Sequence, residues 1–284
     1  MPSEPPRPAP PPRRDGDENY IVAPDYDWPD YAGPLRPYVL AESPRSGSQL
    51  LADLLWRTGR MGSPGEYFHR EHVVPHLSRR LGVGGGGERQ AFEAYLRAIV
   101  RRRTTPNGVF GLKTHFMQLH PYLGQPAARR FLRHSRFIWL RRRDVLAQAI
   151  SYLVALRSGE WRRREDGDRV PPRGDFSDRA LQGAVSQIAG DERAWEMAFG
   201  VNRIRPMVVW YEDLVADPEP VCQGICALLG VTEAGPFRIA DSQMRRQVEP
   251  LKDELRARYV ERLAWSRQEP AGQAGSAPSS HGST

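Results

Sequence analysis

Five consecutive residues, Pro44-Arg-Ser-Gly-Ser48, have the side chains needed to hold an anion. They follow an apolar, strand-favouring stretch and precede leucines at helical spacing, so we predict a loop between a strand and a helix. Backbone N–H groups at such a turn, the positive end of the helix dipole and the guanidinium of Arg45 attract negative charge to one point. Gly47 lets the backbone curve closely around an anion, and Ser46 and Ser48 add hydroxyl donors.

This phosphate loop is not the loop of the nucleoside triphosphatases, because Gly-x-x-x-x-Gly-Lys-Ser/Thr occurs nowhere in the chain. An ordinary strand-to-helix turn with a serine cap would have a similar composition. The choice between these interpretations depends on motifs elsewhere in the chain.

Lys113 and His115 follow a second predicted strand, Val109 to Leu112, and ligands collect at this edge of a parallel sheet. A lysine there can stabilise developing negative charge, and a histidine can accept a proton or cap a helix. Glu66 lies in the loop from Gly62 to His69. It faces the anion site if that loop returns to the first helix, and is otherwise a solvated carboxylate.

Arg143 and Ser151 are eight residues apart, at a strand end and two turns into the next helix, so one phosphate can touch both. Three consecutive arginines at 141–143 repel one another, which we interpret as a sign of a bound anion; a solvated basic patch is the alternative. Tyr211 follows a fourth strand, Met207 to Trp210. It either approaches an adenine ring or is a buried structural tyrosine.

From about Pro37 to Trp265 the chain resembles the bacterial trehalose 2-sulfotransferase family. The motifs that carry the resemblance are Pro44-Arg-Ser-Gly-Ser48, Gly65-Glu-Tyr-Phe68, Phe110-Gly-Leu-Lys-Thr-His115, Arg142-Arg-Asp-Val-Leu-Ala-Gln-Ala-Ile-Ser151 and Tyr211-Glu-Asp-Leu214. Such enzymes use 3′-phosphoadenosine 5′-phosphosulfate (PAPS) as the sulfuryl donor and release PAP. Gln49 stands where the family usually has threonine, so the resemblance implies a contact to the 5′-phosphate from the backbone of Gln49 but not from its side chain.

The resemblance implies a role for each site residue. The residues implied to bind the donor are Arg45, Ser46, Gly47, Ser48 and Gln49 at the 5′-phosphate, Arg143 and Ser151 at the 3′-phosphate, and Tyr211 at the adenine edge. Glu66 matches the proposed general base, while Lys113-x-His115 also resembles the catalytic strand end of animal cytosolic sulfotransferases. Lys113 would stabilise the leaving oxygen, and Glu66 or His115 would take the acceptor proton. No metal is required, because arginine and lysine supply the countercharge.

The predicted fold is α/β, a mainly parallel sheet flanked by helices, with the P-loop-like architecture of sulfotransferases. Strands near residues 38, 109, 136 and 207, separated by helical segments, predict it. We predict a disordered Pro-rich segment with an extended aromatic part at 1–36, a sulfotransferase domain at 37–268 and a disordered tail at 269–284. The aromatic part either lies along its own domain or covers a partner subunit in a homodimer, and the sequence does not choose.

Two helices carry further expectations. The amphipathic helix that begins near Phe92 ends in Arg101-Arg-Arg103, which we interpret as cations at a negative helix end. A long helix from Asp178 to Ile204 is expected to pause at Gly190. His69, His72 and His76 are spaced for a metal, but Pro75 interrupts that helix and no further ligand completes the set, so we predict no metal site.

The net charge of +7 comes almost entirely from arginine, which suits phosphate recognition and also nucleic acid. A nucleic-acid-binding module would not need arginine and serine at a fixed spacing. A phosphotransferase would share the loop, but only Glu212 and Asp213 follow the fourth strand as magnesium ligands. No apolar run reaches the length of a membrane span, so we expect a cytoplasmic enzyme without a nucleic-acid partner. The predicted acceptor is a hydroxyl of a carbohydrate, glycolipid or small natural product.

Overall fold

Four parallel strands form one sheet in the order β2-β1-β3-β4. In the computed structural model the described residues are 20–84, 87–159, 161, 174–232, 234–242 and 250–264. The strands are β1 Arg36–Glu42, β2 Val109–His115, β3 Arg136–Arg141 and β4 Met207–Trp210. The predicted disorder at 1–19 and 269–284 lies outside the described residues.

Side chains of the central strands are buried on both faces of the sheet. In β1, Val39 and Ala41 pack into one apolar cluster, while Tyr38 and Leu40 pack into another on the opposite face. A parallel sheet covered on both sides requires this continuous apolar pattern, because neither face meets water. The predicted parallel α/β fold is therefore confirmed.

The helices connect and cover the strands. They are α1 Ser48–Arg57, α2 Val73–Arg80, α3 Glu88–Arg103, α4 Phe116–Leu119, α5 Pro126–His134, α6 Val145–Ser158, α7 Asp178–Val201, α8 Tyr211–Ala216, α9 Pro218–Leu228 and α10 Pro250–Leu263. Among the described residues, none of these helices combines the length and the apolar character needed to cross a bilayer.

Two expectations about helix breaks were wrong. Pro75 lies in the first turn of α2 and does not interrupt it, because backbone N–H groups there have no partner within the helix. α7 continues through Gly190 without a pause. Gly190 is on the exposed surface of a 24-residue helix, where a glycine costs only about 1 kcal/mol relative to alanine.

Residues 20–34, which we call the N-terminal strap, pack along the domain through their aromatic rings. Tyr26 stacks on Trp56 of α1 with ring centroids 4.5 Å apart. The indole N–H of Trp28 donates to Ser63 Oγ over 3.0 Å. The strap contains two short 3-10 helices, Tyr20–Val22 and Pro24–Tyr26.

Arg103 ends α3 as expected, and the strap explains why it is buried. This residue does not sit exposed at the end of α3 but is only 1% exposed. Its Nη2 donates to the backbone oxygens of Ile21 at 2.7 Å and Ala23 at 3.2 Å, and it lies 3.4 Å from Asp27. Arg103 therefore ties the strap to the domain.

Candidate active site

The phosphate loop connects β1 to α1 with two residues in the left-handed region of backbone space. Arg45 has φ 63° and Gly47 has φ 95°. A Cβ atom at Gly47 would lie 2.3 Å from the ring of Tyr211, so both conformation and space require glycine. Tyr211, the first residue of α8, thus packs directly on the loop.

Two side chains of the loop have different surroundings. Ser46 is available to an anion, and Arg45 bonds to neighbouring elements. Ser46 is fully buried, and its Oγ has no hydrogen-bond partner among the described residues. An orphaned hydroxyl beside the N-terminus of a ten-residue helix fits an anionic oxygen. Arg45 crosses to α6, where its Nε donates to Ser151 Oγ over 3.1 Å, and its Nη1 donates to the Trp161 backbone oxygen over 2.5 Å.

A buried polar network supports the loop from behind. Gln148 Nε2 of α6 donates to Ser43 Oγ at 3.0 Å and to the Pro44 oxygen at 2.7 Å. Ser43 Oγ donates to Glu192 of α7 over 3.1 Å, and Glu192 accepts a 2.6 Å bond from Arg141. Because each of these groups has a partner, the network holds the loop in one shape.

Lys113 is the charge at the centre of the site. It is 1% exposed, and its Nζ lies 2.5 Å from Glu66 Oε1, 3.0 Å from Glu42 Oε1 and 3.4 Å from Ser48 Oγ. The lysine thereby joins the phosphate loop to the loop that carries Glu66. The sequence left open whether Glu66 faces this loop or solvent; its bond to Lys113, which lies 3.4 Å from Ser48 Oγ, places it beside the loop.

Hydrogen bonds hold both oxygens of Glu66. Gly65 pairs with β2 at Leu112, which carries Glu66 to the end of that strand. Lys113 binds Oε1, and Gln118 Nε2 donates to Oε2 over 2.8 Å. Burial raises the pKa of Glu66, but the charges of Lys113 and His115 and these hydrogen bonds outweigh it and bring the pKa well below its ordinary value. Glu66 is thus a carboxylate at neutral pH.

His115 lies on the same side of the site. Its Nε2 is 3.6 Å from Glu42 Oε1, and its backbone N–H donates to Gln118 Oε1 over 3.3 Å. Glu42, Glu66 and His115 together have metal-ligand spacing, with ligand atoms within 4.8 Å of one another. The ammonium of Lys113 lies against both carboxylates and supplies the cation that a metal would supply.

Asp191 of α7 is a buried acid that sequence reasoning missed. It is 5% exposed, and neither carboxylate oxygen has a hydrogen bond of normal geometry among the described residues. Burial raises its pKa to about 6; His115 and the nearby N–H groups of Phe116 and Met117 oppose this rise.

Two of the three arginines at the end of β3 are paired with carboxylates and the third lies over an aromatic ring, which corrects the argument that all three need an anion. Arg141 pairs with Glu192, and Arg142 lies 4.6 Å from the ring centroid of Tyr211. Arg143, with its side chain 48% exposed, donates to Asp213 through both Nη atoms at 2.7 and 2.9 Å. Ser151 Oγ accepts its hydrogen bond from Arg45 of the phosphate loop.

This fold, with a phosphate loop, a buried lysine and a carboxylate at one sheet edge, defines an enzyme that transfers an anionic group. The chain belongs to the Stf0 sulphotransferase family, whose model matches residues 37–263. The trehalose 2-sulfotransferase of Mycolicibacterium smegmatis is 26% identical over 257 residues, covering 78% of this chain and 93% of the relative. That of Mycobacterium tuberculosis is 25% identical over 260 residues, covering 79% and 94%.

Solved sulfotransferase structures also align with the chain. A sulfotransferase from Alicyclobacillus acidocaldarius aligns with a TM-score of 0.43 at 16% identity, covering 81% of this chain and 93% of that one. Sulfotransferase STF9 from Mycobacterium avium aligns with a TM-score of 0.39 at 14% identity, covering 82% and 78%.

Proposed function

We propose that this sulfotransferase moves a sulfuryl group from PAPS to a hydroxyl of a carbohydrate, in the cytoplasm. The observation that carries the proposal is the position of Lys113, between Ser48 of the phosphate loop and the carboxylate of Glu66. A cation placed there faces both the leaving oxygen of a donor held by the loop and the base that serves the acceptor. The trehalose 2-sulfotransferases in the same family support a carbohydrate acceptor.

The phosphate loop has the groups to hold the donor's 5′-phosphate. The orphaned hydroxyl of Ser46, the close backbone at Gly47 and the helix N-terminus at Ser48 and Gln49 all favour an anion. Arg45 donates to Ser151, which we assign to the 3′-phosphate, so Arg45 connects the 5′-phosphate site with the 3′-phosphate site. Arg143 releases Asp213 and binds the 3′-phosphate instead, and Tyr211 lies beside the adenine.

PAPS, when bound, supplies the sulfuryl group and leaves as PAP. The acceptor oxygen forms a bond to sulfur while the bond from sulfur to the bridging oxygen breaks, and that electron pair stays on the phosphate of PAP. Glu66 takes the acceptor proton, and Lys113 stabilises charge on the bridging oxygen. His115 positions the acceptor.

Glu66 needs a change in its surroundings to act as this base. A carboxylate held by Lys113 and Gln118 has a pKa far below neutral and accepts a proton poorly. A donor anion adds a third negative partner to Lys113 beside Glu42 and Glu66, which weakens its hold on Glu66 and raises the pKa of that carboxyl. The proposed mechanism therefore couples donor binding to activation of the base.

Thermal shift with PAP, ATP–Mg and DNA tests the donor class, because a ligand stabilises the fold that binds it. We expect PAP to raise the unfolding temperature, and we expect ATP–Mg and DNA to leave it unchanged. A shift only with ATP–Mg would favour a phosphotransferase, although Asp213 and Glu212, the available magnesium ligands, are bound to Arg143 and its backbone N–H. Incubation with PAPS and a panel of sugars, read by mass spectrometry, identifies the acceptor; sulfation only of non-carbohydrate hydroxyls would overturn that part of the proposal.

A further inference from the structure

The side chain of Ile21, in the N-terminal strap, lies directly on Gly65, the residue before Glu66. A Cβ atom at Gly65 would lie 2.1 Å from Ile21 Cδ1 and 2.3 Å from its Cγ1. Such distances are impossible for a real Cβ, so glycine is required for this close approach. Ile21 is 4% exposed, although it lies outside the region matched by the family model.

The strap has strong anchors beside this contact. Arg103, itself buried, donates to the backbone oxygen of Ile21, and its guanidinium lies 5.8 Å from the ring centroid of Tyr26 and 5.9 Å from that of Tyr67. Ser63 Oγ donates to the Tyr26 oxygen over 2.8 Å. The strap and the loop from Gly62 to Phe68 are therefore packed as one unit.

The other side of this loop is held by β2. The backbone N–H of Lys113 donates to the Gly65 oxygen over 2.9 Å, and Gly65 pairs with Leu112. Gly65 is thus clamped between the sheet on one side and Ile21 on the other. A shift of Gly65 moves the next residue, Glu66, relative to Lys113.

We infer that Ile21 is a positioning residue for Glu66: by pressing Gly65 onto β2, the strap sets the place of the catalytic carboxylate. The inference rests on the proposed role of Glu66 as the base. A misplacement of about 1 Å at a reacting group is enough to lower turnover about 100-fold. The residues proposed to hold the donor phosphates lie on other elements, Arg45 and Ser46 in the phosphate loop and Arg143 after β3, so PAP affinity should change much less than turnover.

The test uses the full chain and measures kcat per PAP-binding site, PAP affinity and thermal stability. Ile21→Ala should lower kcat at least about tenfold and leave PAP affinity within about twofold. Val22→Ala is the matched control, because it removes methyl groups from the next strap residue, which packs on the same apolar cluster, and keeps the side chain on Gly65. Equal kcat losses in the two variants would overturn the inference, since they would indicate general destabilisation.

A complementary pair makes the test specific for the contact. Gly65→Ala alone should lower kcat, because the new methyl group collides with Ile21. Ile21→Ala removes both colliding atoms, so the double variant should turn over faster than Gly65→Ala alone. A double variant no faster than Gly65→Ala contradicts the clamp. If Ile21→Ala does not fold, Ile21→Val, which deletes only Cδ1, takes its place in the comparison with Val22→Ala. It does not replace Ile21→Ala in the double variant, because Cγ1 would still lie 2.3 Å from the added methyl group.

A Glu66→Gln variant separates this inference from the proposed function. Near-normal turnover in Glu66→Gln overturns the role of Glu66 as the base, whatever the strap variants do. A large loss in Glu66→Gln without a specific loss in Ile21→Ala overturns the clamp alone.

Discussion

Lys113 and Glu66 form an ion pair with 2.5 Å between Nζ and Oε1, across the gap between the strand that ends at His115 and the loop that follows Gly62. Glu42 adds a second carboxylate 3.0 Å from the same nitrogen. One cation thus lies between two carboxylates, beside the loop that we propose to hold the donor. The expected outcomes that follow depend on these three charges and on the phosphate loop beside them.

Lys113→Met should destabilise the fold by roughly 3 to 5 kcal/mol, because it leaves Glu42 and Glu66 without their countercharge. Adding Glu42→Gln should restore a large part of that loss, since it removes one of the two uncompensated charges. Urea unfolding measures both values. Lys252→Met, at the chain's other lysine, is the control. Equal stability of Lys113→Met and wild type would contradict the buried ion pair.

Glu66→Gln keeps the size and much of the hydrogen bonding of the side chain but removes its basic site. Turnover should fall by roughly 10² to 10⁴, while PAP affinity stays nearly unchanged. His115→Asn should cost less, through acceptor positioning. If His115 is the base, its variant shows the larger loss, and the rate rises with pH through a histidine titration that persists in Glu66→Gln.

Gly47→Ala should weaken PAP binding at least about tenfold, because the methyl group would be 2.3 Å from Tyr211 at a backbone angle that alanine avoids. Isothermal calorimetry measures the affinity. Gly124→Ala is the matched control, since Gly124 has open space around it and no left-handed backbone angle. Unchanged PAP affinity in Gly47→Ala would show that the loop does not hold the donor.

Arg45→Ala and Arg143→Ala should each weaken PAP binding, since a hydrogen bond to a charged group contributes roughly 1.5 to 3 kcal/mol. Arg143 must also give up Asp213, so Asp213→Ala should strengthen PAP binding. Arg130→Ala, at an exposed arginine paired with Glu93, controls for loss of one positive charge. Full affinity in both Arg45→Ala and Arg143→Ala would exclude these residues from the donor site.

Asp191→Asn should change how stability depends on pH. Burial raises the Asp191 pKa to about 6, so the folded protein keeps this proton at pH values where the unfolded chain has lost it. The stability contributed by this group therefore falls as pH rises from about 4 to 6 and stays low above that. Relative to wild type, Asp191→Asn should be more stable at pH 7.5 than at pH 4.5, by roughly 2 kcal/mol. Parallel pH profiles of unfolding would contradict a buried proton on Asp191.

Local sequence was sufficient to predict the four strands and the loop between β1 and α1. β2 runs three residues further than predicted, so Lys113 and His115 lie within the strand and not after it. A strand that is buried on both faces is a continuous apolar run in the sequence, and a turn from strand to helix has a glycine between the two elements. Both patterns involve only residues that are close in sequence. Parallel strands then bring their carboxyl ends to one edge, which places Arg45, Lys113 and Arg143 there. Glu42 also had a signal that was overlooked, a lone carboxylate ending an apolar strand.

The partners of these charges were decided by tertiary structure alone. Arg45 meets Ser151, Arg143 meets Asp213, and Lys113 meets Glu66 across separate elements. Such pairings depend on how elements separated by tens of residues pack and on which way each side chain turns, and neither leaves a periodic pattern in the sequence. The contact of Ile21 with Gly65 is of the same kind: the sequence contains an isoleucine and a glycine 44 residues apart, and only the packed chain presses one onto the other.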